Sequence, residues 1–292
     1  MVNKVSLVYQ RSGSHIYSHQ MIMRAHFYRI LCGTMQNLAI PHHIKPYCLS
    51  GLIMNNVITA AGLILLQQNT HAKHFEVLLL KRNPRLKVHG GNWVFPGGKV
   101  DAEDYLAINR TPSDIDIKNP PTLSQNDYLK LVRQTALRET LEEAGITLKE
   151  NSLQYFSRWL TPKAISRRFD TSFFMAETPD ISVTVDGSEI IDYQWISPAE
   201  SLALHKNGEI SIPPATFVTL TYLSQFTQAQ SAIKTLCKNP LYYRPKLIST
   251  DKGLCSLYED DAGYPNEDYQ AAGKHHRLEI INGDFEYIRT HV

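Results

Sequence analysis

The 292-residue sequence predicts an α/β fold, a sheet with helices packed against it, and three observations carry that reading. The first is a pair of apolar runs, VITAAGLILLQQ at 57–68 and FEVLLLKR at 75–82, joined by a short polar stretch. Their β-branched content and length fit two buried strands in a hairpin. The second is DYLKLVRQTALRETLEEAG at 127–145, where Leu129, Val132, Ala136, Leu137, Leu141 and Ala144 recur near helical spacing. The third is the order of the segments beyond that helix: strand-like runs at 152–161, 171–177 and 192–197, then helical stretches at 197–208 and 213–236.

Residues 1–50 show no clear period and are read as an N-terminal extension, with the main domain over 51–211 and a C-terminal helical and irregular appendage over 212–292. The hairpin opens the domain. NPRLKVHGGNWVFPGG then reads as a loop, because Pro84, Gly90, Gly91, Pro96, Gly97 and Gly98 punctuate it. Residues 105–126 are polar, hold three prolines, and read as a second loop. For the helix at 127–145, Asp127 is the expected N-cap and Gly145 the expected stop. Ser197 and Glu200 form a Ser-x-x-Glu capping box that starts the next helix. The stretch 213–236 has room for two helices, and the last 55 or so residues mix short strand signals with polar loops.

Composition narrows the class. Hydrophobic residues make up 43% of the chain, charged residues 20%, and the formal net charge is +2. These are ordinary for a globular protein and give no bias toward polyanions, so any basic patch is local. The four cysteines, Cys32, Cys48, Cys237 and Cys255, form no Cys-x-x-Cys pair. That argues against a zinc ribbon and for free thiols in a reducing, cytoplasmic compartment. No secretory pattern opens the chain, and its most apolar run, at 57–66, is too short to span a bilayer.

Chemistry concentrates on the acidic helix. Glu139 and Glu143 stand at i and i+4, Glu139 and Glu142 at i and i+3, so they share a face. Carboxylates crowded in this way repel one another unless a cation sits among them, and Mg²⁺ favours oxygen ligands. Arg138 and Glu142, also at i and i+4, can pair. Taken alone, the helix reads first as a solvated surface.

The flanking residues change that balance. Gly98, then Asp104, then Arg138-Glu139-Thr140-Leu141-Glu142-Glu143-Ala144-Gly145-Ile146 resemble the signature of the Nudix hydrolases: Gly, five residues, Glu, seven residues, Arg-Glu-apolar-x-Glu-Glu-x-Gly-apolar. Asp104 replaces the first Glu, Thr140 replaces an apolar residue, and 33 residues separate Asp104 from Arg138 where the signature has seven. Extra length in a loop costs little, so the two halves can still meet. The resemblance implies a Nudix α/β/α sandwich with a mixed sheet, plus the C-terminal helical appendage. It implies Mg²⁺ or Mn²⁺ held by Glu139, Glu142, Glu143 and the Gly98 carbonyl, with Asp104 helping to position the metal shell and Arg138 orienting a glutamate. The general base is open between Glu139 and a later carboxylate among Asp186, Glu189 and Asp192, with Glu189 ranked first.

A more specific resemblance covers 78–98. Arg82, Leu86, His89, Gly91 and Phe95-Pro96-Gly97-Gly98 match the coenzyme A diphosphatase motif in register, with Lys87, Asn83 and Asn92 departing from it. The interrupted signature, WLTP at 159–162, RRFDTSFF at 167–174 and IPP at 212–214 are similar to the animal peroxisomal members of that group. Arg82, Lys87 and His89 are therefore expected at the substrate phosphates, with Arg167 and Arg168 as a second anion site. Asp170 is read as holding one of those two arginines. Trp93 and Trp159 are read as core before adenine platforms, and Trp195 as core. The expected partner is a small nucleoside diphosphate derivative, coenzyme A first, with no nucleic acid and no membrane, and with a homodimer left open. Three other readings compete: a diphosphatase for ADP-ribose or a dinucleotide, a non-catalytic nucleotide- or RNA-binding module, and an enzyme regulated by residues 105–126 as a lid.

Overall fold

The computed structural model describes residues 57–69 and 74–290; the expected N-terminal extension, 1–50, lies outside the described residues. The two hairpin strands begin and end where the apolar runs do: β1 is Val57–Gln68 and β2 is Phe75–Arg82. Two short strands follow, β3 (Trp93–Val94) and β4 (Gly97–Lys99), then helix α1 (Gln125–Ala144). Strands β5 (Gln154–Leu160), β6 (Arg168–Glu177) and β7 (Ile190–Ile196) come next, then helices α2 (Pro198–Lys206), α3 (Pro214–Leu223) and α4 (Ala229–Leu236). Strand β8 (Leu241–Tyr243) closes the main sheet.

That sheet has eight strands in the path β3-β2-β1-β6-β5-β8, with β7 on β2 and β4 on β1. It is mixed: β1 and β6 run parallel, as do β5 and β8, while the other pairs are antiparallel. Strand β1 is the spine. Its last residues pair with β2, its middle pairs with β4, and Val57 to Leu66 lie against β6.

Alternation along the strands separates two cores. Leu63, Leu65, Leu78, Leu80, Phe174 and Ala176 face α1, where they meet Val132, Ala136 and Ile146. Ile64, Leu66, Val77, Leu79 and Met175 face the other way, onto Ile212, Leu220 and Ala232 beside α3 and α4. Because β1 and β2 are covered on both faces, their sequences are continuous apolar runs. This is the expected α/β/α sandwich.

Three expectations need correction. The N-cap of α1 is Ser124, whose Oγ accepts from the Asp127 backbone N–H at 3.1 Å, so the helix starts two residues before the expected cap at Asp127. Beyond α4 the appendage is built from sheet: β9 (Lys246–Ser249), β10 (Leu254–Leu257), β11 (His276–Ile281) and β12 (Asp284–Arg289) form an antiparallel sheet of their own. Its helical part is α3 and α4 alone. The segment expected as a loop at 105–126 is anchored, since Asp101 caps a 3₁₀ helix, Ala102–Ile108, whose Tyr105 is buried in the α1-side core. Gly145, Ser197 and the split of 213–236 into two helices stand as expected. Trp93 and Trp159 are buried, and Trp159 stacks on Tyr243 with ring centroids 3.9 Å apart.

Tyr105 ties the long connection to the domain, so Tyr105→Ala removes a buried aromatic from the core. We expect it to lower unfolding free energy by about 3 kcal/mol, read as a shift in the urea midpoint at constant slope.

Candidate active site

The site forms where β4 crosses the second half of α1. Gly97 carries φ 153°, and a Cβ there would stand 2.4 Å from the Ala61 carbonyl oxygen, so only glycine lets β4 lie this close to β1. A Cβ on Gly98 would meet the Glu139 carboxylate at 2.4 Å. The glycine pair thus seats the acidic face of α1 directly on the strand. Glu143, 5% exposed, accepts a 2.8 Å hydrogen bond from the Gly97 N–H.

Arg138 organises the carboxylates. Its Nε and Nη2 donate to the two oxygens of Asp104 at 2.8 and 2.9 Å, and Nη1 donates to Glu139 at 3.0 Å and Glu142 at 2.9 Å. Nη2 also reaches the Lys99 carbonyl at 3.0 Å. One guanidinium therefore joins α1, β4 and the start of the inserted segment. Asp104, expected in the metal shell, is 1% exposed, and its Oδ2 also accepts from Thr135 Oγ1 and the Asp101 N–H, each at 2.9 Å. Its oxygens are committed to Arg138, Thr135 and the backbone, so it positions Arg138. Thr135, one turn before Arg138, was not among the expected site residues.

The basic loop divides. Arg82 is turned to carboxylates: Nη1 lies 3.3 Å from Glu143 and Nη2 lies 3.2 Å from Glu189. Glu189 is brought to this end of β2 because the Asn83 N–H donates to the Glu189 carbonyl at 2.7 Å and the Asn83 side chain donates to Ser188 O at 2.9 Å. Lys87 is exposed and Lys81 lies over the Trp93 ring. His89, in the left-handed region at φ 53°, is pushed down to about 4 by burial and by the Arg82 charge, so it is neutral near pH 7 and supplies no cation. Asp186 caps its own turn, accepting from the Ser188, Glu189 and Ile190 N–H groups.

The second anion site does not assemble. Arg168 is buried and donates to the Thr161 carbonyl at 3.0 Å, while its neighbour Arg167 is exposed against the Phe169 ring. Arg168 begins β6, with Arg167 just before it, and β6 pairs with the start of β1, several residues from Gly98. Asp170 instead holds Arg158, accepting from Nε and Nη2 at 2.7 and 2.6 Å.

Among the described residues no three His, Cys, Asp or Glu side chains already stand at metal-ligating geometry. The donor set nonetheless suits a hard divalent cation. Glu139, Glu142 and Glu143 are oxygen donors on one helical face, and Gly98 leaves the approach between strand and helix clear. Burial raises Glu139 and pushes Glu143 up to about 8, against the pull of Gly97 N–H and Arg82 on the latter. A cation would favour the ionised carboxylates and release that proton.

The sign of the Glu143 shift gives a test on metal-free protein. A carboxyl raised in the folded state holds a proton that the unfolded chain has released, so its stabilising effect is complete below the ordinary value of 4.5 and lost as pH rises toward 8. Thermal midpoints measured in chelator should fall across that window, and Glu143→Gln should flatten the fall.

Comparison with known proteins bears on the fold and on the family resemblance. The NUDT19 Nudix domain family matches residues 149–223, which begin after α1 and run through α3. The acyl-coenzyme A diphosphatase NUDT19 of Xenopus laevis is 24% identical over 74% of this chain and 83% of its own length. The human acyl-coenzyme A diphosphatase NUDT19 is 25% identical over 66% of this chain and 73% of its own. A crystal structure of a Nudix hydrolase from Alicyclobacillus acidocaldarius superposes with a TM-score of 0.53 at 23% identity, covering 64% of this chain and all of that one, and so supports the fold. With its interrupted box drawn together by Arg138, the chain resembles the Nudix hydrolases, and among them the coenzyme A diphosphatases, a likeness that supports an enzyme acting on phosphorus-containing anhydrides.

Proposed function

We propose that the protein cleaves the diphosphate of coenzyme A or its acyl derivatives, releasing 3′,5′-ADP and 4′-phosphopantetheine or its acyl form. The observation that carries this reading is continuity: the segment from Arg82 to Gly98, which matches the coenzyme A diphosphatase motif, runs straight into the strand on which Glu139 and Glu143 sit. The names of the Xenopus and human relatives favour the same substrate class.

Glu139, Glu142 and Glu143, with the Gly98 carbonyl, would hold Mg²⁺ or Mn²⁺. When bound, the cation supplies charge neutralisation at the diphosphate and activation of water. Arg138 fixes the carboxylates of Glu139 and Glu142, and Asp104 fixes Arg138. Arg82 lies between Glu143 and Glu189, where its charge also offsets negative charge developing on the substrate. Glu189 is the proposed general base, supported by its exposure and by the Arg82 contact that aims it at the carboxylate cluster. Lys87, exposed on the loop, meets an outer phosphate, and neutral His89 contributes a hydrogen bond. The free thiols of Cys237 and Cys255 suit a reducing, cytoplasmic setting. Among the described residues no helix is long and apolar enough to cross a membrane.

Incubation of coenzyme A with the protein and Mg²⁺, with and without chelator, should release 3′,5′-ADP only when the cation is present. Glu142→Gln should reduce kcat by about a hundredfold or more while leaving the thermal midpoint close to that of wild type, since Glu142 is half-exposed. Turnover of ADP-ribose or a dinucleotide in place of coenzyme A would retain the site and replace the substrate. Absence of cation-dependent turnover of any diphosphate would favour a binding module.

A further inference from the structure

A trough opens at the other end of α1 from Arg82. It consists of two adjoining cavities of about 440 and 270 Å³ that share Thr59, Tyr105 and Pro120. The larger is of the size that small-molecule sites occupy. One end of the trough reaches Lys99 and Val100, immediately after Gly98. The other lies between the opening turns of α1, at Tyr128 and Leu129, and Tyr155 on β5. Leu129 is ten residues before Glu139, about 15 Å along the helix axis.

Two features define what the trough accepts. Its outer wall comes from the inserted segment, through Ile117, Pro120, Pro121 and Leu123. Its lining is mainly aliphatic and aromatic, its one cation without an ion pair, Lys118, stands exposed on the outer wall, and its inner charges are committed. Arg158 is paired with Asp170 at 2.6 Å and flanked by the Tyr128 and Tyr242 rings, and Lys99 is paired with Asp101 at 2.9 Å. A phosphate finds no free cation deep inside, whereas an uncharged chain finds apolar walls, with Thr59 and Gln125 available to its amides.

We propose that this trough holds the acylated pantetheine arm of an acyl-coenzyme A, with the inserted segment as its outer wall, so that the insertion sets which acyl chains are accepted. The inference rests on the coenzyme A reading above. It assigns the sequence between Asp104 and Arg138 a role in substrate selection, where the lid reading would have it cover the carboxylates.

Leu129 tests the proposal, because it is half-buried, lies outside the two core clusters and takes no part in the carboxylate machinery. The measurement is kcat/KM for free, acetyl-, octanoyl- and dodecanoyl-coenzyme A with wild type, Leu129→Asp and Leu129→Trp. In wild type the value should rise with chain length. Leu129→Asp should lower it about tenfold on the dodecanoyl ester, the effect of losing part of one leucine contact, and change free coenzyme A by less than twofold. Leu129→Trp, which narrows the trough, should move the preference toward shorter chains. Wild type that hydrolyses coenzyme A without chain-length dependence, or variants that change all four substrates alike, would overturn the trough and leave the substrate reading intact. Wild type that hydrolyses none of the four would overturn both.

Discussion

The Arg138–Asp104 pair is the constraint on which the rest of the site depends. The two residues are 34 positions apart, yet two donor nitrogens of one guanidinium face the two oxygens of one nearly inaccessible carboxylate. Removing one partner of such a buried pair leaves an uncompensated charge, a change that costs about 3–5 kcal/mol. The same arginine holds Glu139, Glu142 and the Lys99 carbonyl. The pair therefore sets three relations at once: helix to strand, insertion to helix, and carboxylate to carboxylate.

The second constraint is steric. Two adjacent glycines let backbone approach backbone at Ala61 and carboxylate approach backbone at Glu139. Closeness has an electrostatic consequence, because Glu143 and Glu139 are packed away from water beside each other. Burial raises both, and Arg82, Arg138 and the Gly97 N–H only partly compensate. The folded chain thus crowds carboxyl groups that its own cations only partly offset, and Glu143 keeps a proton as a result. In physical terms that is a site shaped for a cation whose charge completes it.

Much of this was legible in the sequence, for identifiable reasons. Strands β1 and β2 are buried on both faces, so their apolar runs are unbroken and their ends are sharp. Glu139, Glu142 and Glu143 share a face by helical spacing alone, and Gly98 opens the signature that Arg138 to Ile146 close. What the sequence hid depends on contacts between distant segments. Asp104 occupies a ligand position in the signature, but only the fold shows Arg138, Thr135 and the Asp101 N–H around its oxygens. Arg167 and Arg168 look like one anion site as neighbours, yet one is buried and one exposed. His89 reads as a cation until its burial beside Arg82 is known. The last sheet showed only as scattered short strand signals, because its strands are short and separated by polar loops, which leaves little periodic signal.

Magnitudes explain how the signature survives its interruption. Lengthening a flexible connection from seven residues to 33 adds an entropic cost of roughly 1.4 kcal/mol to loop closure. Burying one aromatic side chain contributes about 1.5–3 kcal/mol, and Tyr105, one residue after Asp104, is 3% exposed in the α1-side core. A single anchor next to the ion pair is thus enough to offset the added length. The cost of length has been met before the chain reaches Pro112, so the later contacts of Ile115 and Leu123 with the same core add to a box that is already closed. Residues 117–123 lie against the trough beside α1. Their sequence can therefore change the shape of that trough while Arg138 keeps the carboxylates in place, and so the geometry separates the part of the insertion that preserves catalysis from the part that can tune selectivity.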